Sequence, residues 1–291
     1  MNTIWPELWA ALTLRAGPNA ALVCLGAAAL GLVAGVVGSF LTLRKRALMS
    51  DALAHATLPG VGLAFLASLA LGLERNLLVL MLGAALSALA GLWAVQRLAR
   101  SRIGQDAAIG AVLSTFYGAG VVILTLIQGL RTGQQAGLEG FLLGATAGML
   151  RADVAVIALG GALVLLAIWA LHRPLSLIAF DEGAASVMGL NVPRYDAALM
   201  ALVLGVVLLG LQVVGLILIV ALLITPAATA RLWTHRLGHM ALLAGAIGAI
   251  AGWVGASLSA ALPDLPTGPV IVLLTFAALL LSIPLTKGRR A

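Results

Sequence analysis

Asp51 and His55, in the run ALMSDALAHATLPG (47–60), are the pair in this sequence best placed to do chemistry. They stand four residues apart, so on a helix their side chains share one face. A carboxylate beside an imidazole can hold a divalent transition metal. Two donors do not make a closed site, but two chains related by a two-fold axis bring four, two oxygens and two nitrogens. That set suits zinc or manganese. The same spacing also suits a plain Asp–His hydrogen bond near a helix start, and spacing alone leaves both readings open.

A second patterned stretch is FDEGAASVMGLNVPRY (180–195). Asp181 and Glu182 stand where acids favour a helix N-terminus. Gly189 is placed to end the helix, and Pro193 stops any continuation beyond it. The pattern predicts a two-turn helix over 182–188, either a capped surface turn or a docking element for a partner. Other chemistry is excluded. No GxxxxGK[ST] run occurs, and the only lysines are Lys45 and Lys287, so the chain carries no P-loop. HExxH and GxSxG are also absent. The expectation is a non-enzyme, with any nucleotide hydrolysis done by another chain. Cys24 is the single cysteine, so neither an internal disulfide nor a thiolate cluster can form. His172, His235 and His239 fall at expected span ends and read as interfacial.

The elements that hold these residues must suit lipid. Only 9% of residues are charged and 62% are apolar, against roughly 25% charged in a soluble domain. A helix needs about 20 apolar residues to cross the hydrocarbon. Nine spans are predicted: 20–43, 48–73, 77–97, 106–128, 151–171, 196–211, 214–232, 238–262 and 267–285. The stretch 196–232 is too long for one crossing and is split near Gln212–Gly215. Segment 138–150 is too short to cross and reads as re-entrant or interfacial. The fold class is therefore all-α, a polytopic helical bundle forming one transmembrane domain over 1–291. Met1–Glu7 lacks the basic start of a cleaved leader, so the first apolar segment is expected to stay as a span.

Loop charges orient the bundle. With the N-terminus outside, the cytoplasmic ends hold Arg44, Lys45, Arg46, Arg97, Arg100, Arg102, Arg173, Arg194, Arg231, Arg236, Lys287, Arg289 and Arg290, which is 13 of the 17 Lys and Arg. Arg15, Arg75, Arg131 and Arg151 remain outside. The longest cytoplasmic loop is then 172–195. The net charge of +7 reflects this bias and not nucleic-acid binding, because no basic stripe or aromatic platform is present.

Five blocks together carry a family resemblance: GVVGSFLTLRKRALMSDALAHATLPGVGLAF (35–65), DAAIGAVLSTFYGAGVVIL (106–124), AFDEGAASVMGLNV (179–192), VVGLILIVALLITPAATARL (213–232) and LPDLPTGPVIVLL (262–274). In this order they resemble the permease subunits of bacterial ABC importers for zinc, manganese and iron. The resemblance implies the all-helical fold of cobalamin and siderophore importers, in the bacterial cytoplasmic membrane. It implies a permease homodimer, two cytoplasmic ATP-binding subunits and an extracytoplasmic metal-binding protein. No cofactor is held permanently, and the divalent metal is cargo. Asp51 and His55 match the family's metal-pathway pair, and Asp181, Glu182 and Gly189 its ATPase-coupling segment. Two alternatives differ in kind: an ABC permease for a metal chelate such as a siderophore, and a proton-coupled carrier using Asp51 and His55 as a relay.

Overall fold

Apolar segments of 20 to 30 residues, bounded by glycine, proline and arginine, set the architecture. The computed structural model describes residues 4–72, 77–130, 148–262 and 265–287. The described elements are helices: α1 (Ile4–Leu12), α2 (Pro18–Leu43), α3 (Ala47–Ala70), α4 (Leu77–Ala99), α5 (Gln105–Gly129), α6 (Arg151–Phe180), α7 (Glu182–Val187), α8 (Val192–Leu211), α9 (Val214–Trp233), α10 (Leu237–Ala261) and α11 (Thr267–Lys287). Nine of the described helices are long and apolar enough to cross a bilayer. They match the nine predicted spans, with ends shifted by up to four residues except at the end of α6, which runs nine residues further.

The Val192–Trp233 stretch breaks at Gly215, whose φ of 79° lies in the left-handed region. The chain reverses there. A Cβ added at Gly210 would lie 2.6 Å from Cδ1 of Ile219, whereas nine residues of straight helix span about 13 Å. One expectation is corrected. The segment 172–195 is not a loop, because α6 continues to Phe180 through Pro174. Proline forfeits one backbone bond, but Leu175 and Ile178 are buried beyond it and keep the last turns helical. The linker is thereby reduced to α7 and its two caps. The sequence reading also left α1 unassigned. Of the expected re-entrant piece 138–150, residues 138–147 lie outside the described residues. So do Arg75, Arg131, Arg289 and Arg290.

The helices form two compact units, Met1–Ala47 with Phe141–Ala291, and Leu48–Gly140. In the larger unit α2 packs closely along α10. A Cβ at Gly31 would strike the Gly248 carbonyl, and one at Gly248 would strike that of Gly31. Gly35 meets the Ala244 carbonyl and Gly252 that of Ala27 in the same way. Small residues therefore bring backbone against backbone, as lipid-embedded helices require when hydrophobicity alone cannot hold them together. Cys24 is sealed in this seam, its Sγ 3.4 Å from Ser257 Oγ. On α1, Trp5 and Trp9 are exposed, while Trp253 of α10 donates its Nε1–H to the Leu12 carbonyl at 3.3 Å.

Among its described residues the smaller unit holds α3, α4 and α5. Gly60 backs onto the Gly83 carbonyl of α4, and Gly91 of α4 faces Ala56. Gly120 of α5 leaves room for Leu58, and Gly62 for Ile123 of α5. These contacts fix α3 on two sides along the stretch that comes after His55.

Candidate functional site

Asp51 and His55 lie in the first half of α3, and the structure brings them together as their spacing predicts. His55 Nε2 is 3.3 Å from Asp51 Oδ1. Two donors each about 2.1 Å from one ion, at 90–109° to each other, are separated by about 3.0–3.4 Å, so the separation fits two ligands of one ion and equally fits a His–carboxylate hydrogen bond. Both side chains stay partly open, at 24% and 33% exposure. Tyr117 of α5 meets the imidazole edge to face, with ring centroids 5.0 Å apart. His55 Nδ1 is buried and has no hydrogen-bond partner among the described residues. Pro59 adds a further consequence: it has no N–H to give the His55 carbonyl four residues back. Among the described residues no third His, Cys, Asp or Glu joins the pair, so one chain supplies two side-chain donors.

The second predicted site is built by its caps. Asp181 Oδ1 accepts from the Ala184 N–H at 2.9 Å and starts α7. At the other end Leu190 N bonds the Ala185 carbonyl and Gly189 N the Ser186 carbonyl, both at 3.0 Å, with Gly189 at φ 84°. This is a Schellman stop, which needs a left-handed residue at the glycine position. Ile178, Ala185 and Val192 bury the inner face, with Leu177, Leu190 and Tyr195 around them. The outer end shows Val187 and Met188 at 88% and 70% exposure.

Glu182 points back to the end of α2. Arg44 Nη1 donates to Glu182 Oε2 at 3.1 Å and to the Ile178 carbonyl at 2.9 Å, and its Nη2 donates to Asp196 Oδ2 at 2.9 Å. Arg46 Nη2 reaches the same Asp196 oxygen at 3.0 Å. Arg44 and Asp196 are 9% and 13% exposed, Glu182 60%. Removing one partner of a buried pair costs about 3–5 kcal/mol, whereas an exposed pair contributes about 0–1 kcal/mol. Asp196 is therefore the partner that matters. The sequence reading took Arg44 and Arg46 as orientation charges and Asp196 as a span end, and it did not single out Tyr117. The available signal was opposite charge at neighbouring span ends, which does not name the partner.

The chain is similar to known proteins over most of its length. Residues 19–286 match the ABC 3 transport family. The manganese transport system membrane protein MntC of Bacillus subtilis is 43% identical over 88% of this chain, and the chain spans 58% of that relative's length. The zinc transport system membrane protein TroC of Treponema pallidum is 40% identical, covering 92% of this chain and 89% of the relative. Among solved structures, a chain of PsaBC from Streptococcus pneumoniae in complex with Fab superposes with a TM-score of 0.77 at 34% identity, covering 91% of each chain. A metal-chelate type ABC transporter in an inward-facing conformation gives 0.68 at 16% identity, covering 98% of this chain and 97% of that one, and shares the fold. The chain is a multi-pass membrane protein and belongs to the ABC 3 transport family.

Proposed function

We propose that this chain is the transmembrane subunit of an ATP-driven importer for a divalent transition metal. The observation that carries the reading is the Asp51–His55 pair, 3.3 Å apart and partly open. Relatives named for manganese and zinc transport support it, and iron falls within the same donor chemistry. The functional unit is a homodimer in the cytoplasmic membrane, with two ATP-binding subunits on α7 and a metal-loaded binding protein outside. The whole chain works as one permease domain. Val187 and Met188 are large apolar side chains exposed on a short capped helix, as a docking surface for a protein partner requires. Hydrolysis is left to the partner. Closure of the ATPases moves α7, the spans re-pack, and the ion crosses through brief contacts with Asp51 and His55 of each subunit. Two donors per chain suit transport, because a saturated cage would hold its ion.

The test is uptake of zinc, manganese and iron by proteoliposomes holding the permease and its ATPase, supplied with loaded binding protein. Asp51→Ala and His55→Ala should each assemble, hydrolyse ATP and lower uptake by about tenfold or more, at least the scale of losing a group that supports a metal ligand. Native uptake by assembled variants would sink the site assignment. Uptake of a chelate but not of the free ion would favour a wider pathway. Uptake without ATP that collapses with the proton gradient would mean a secondary carrier.

A further inference from the structure

The basic turn between α2 and α3 does more than set orientation. Its backbone is locked. Arg46 N bonds the Leu41 carbonyl at 3.0 Å and Lys45 N the Thr42 carbonyl at 3.1 Å, with Lys45 at φ 54°. From this fixed base a single guanidinium reaches three elements: the last turn of α6 through the Ile178 carbonyl, the start of α7 through Glu182, and the start of α8 through Asp196. A planar fork of five donors can hold three acceptors at fixed angles, which a lysine ammonium does not reproduce.

We infer that Arg44 is a positioning residue that clamps the docking segment 181–196 to the end of α2. Displacement of α7 then carries the turn 44–46 and the start of α3, the helix of Asp51 and His55. This inference rests on the reading of α7 as the ATPase docking surface. The clamp also has slack. Arg44 Nε and Asp196 Oδ1 are buried and have no hydrogen-bond partner among the described residues. They are the two atoms that a side-on, two-bond Arg–carboxylate pair uses together with Nη2 and Oδ2. The single bond seen here can close to a double one when α8 shifts, which gives the clamp two discrete arrangements.

The experiment uses the full complex in proteoliposomes and reads metal ions moved per ATP hydrolysed. The variants are Arg44→Ala, Arg44→Lys and Asp196→Asn. A Val187→Cys crosslink to the ATPase, made in otherwise native complex, reports docking. Arg44→Ala is expected to assemble and hydrolyse ATP, with metal moved per ATP falling at least about fivefold, the lower end of ordinary coupling energies. Arg44→Lys should recover only part of the ratio, and Asp196→Asn should resemble Arg44→Ala. A native ratio in assembled Arg44→Ala overturns the inference. If that variant does not assemble, a native ratio in the other two overturns it. Failure of all three to assemble makes the cluster a folding element and overturns it as well. Absence of the Val187→Cys crosslink overturns the docking reading itself. A crosslink with an unchanged ratio overturns only the role of Arg44.

Discussion

Gly189 sits at φ 84° with nothing within 4 Å of where a Cβ would be. Any cost of substitution there is conformational, with no clash to confuse it. Gly189→Ala should destabilise the α7 stop by about 1–2 kcal/mol, and Gly189→Asn by less, since asparagine tolerates the left-handed region. Hydrogen exchange of the 182–190 amides would read this: protection should fall in the order Gly, Asn, Ala, and equal protection in all three would refute it. The role of this glycine was legible in the sequence because a C-cap is a local device. Asp51 and His55 were legible for the same reason, four residues being one helical step. Arg44 was not. Its partners lie 134 to 152 positions along the chain, and no local rule selects Asp196 over the other acids near span ends.

Among the elements, α2 and α10 meet through glycine, and a side chain cannot be inserted there. Gly248→Val should cost at least about 1–3 kcal/mol through overpacking, and more because backbone, not a mobile side chain, is what it strikes. Gly110 on α5 is exposed with open space around it, so Gly110→Ala should be neutral or stabilising by up to about 1 kcal/mol. Thermal midpoints of the two purified variants in one detergent would separate them, and equal midpoints would count against the close-packed seam. The nine spans were legible because length and apolarity are enough to define them. The break at Gly215 was legible because the apolar stretch 196–232 exceeds one crossing and holds Gln212 and Gly215. The end of α6 was not. Arg173 and Pro174 look like a terminus, and only the burial of Leu175 and Ile178 shows why the helix goes on.

At the scale of the whole molecule, composition declares the solvent: 62% apolar and 9% charged residues fit only a lipid-facing bundle. Composition leaves open which parts move, and the seam of α2 with α10 bears on that. Gly31 and Gly248 touch carbonyl to α-carbon in both directions, so no rotamer stands between the two helices to be exchanged for displacement. The pair behaves as a single beam, and motion during a transport cycle has to be found elsewhere in the chain. Leu25 and Ile250 are exposed on the two helices, and the lone native thiol, Cys24, is buried. Spin labels at Leu25→Cys and Ile250→Cys, in a Cys24→Ser background, should therefore report one separation in the resting and ATP-bound complex. A change approaching one helical turn, ~5.4 Å, would show that the beam slips.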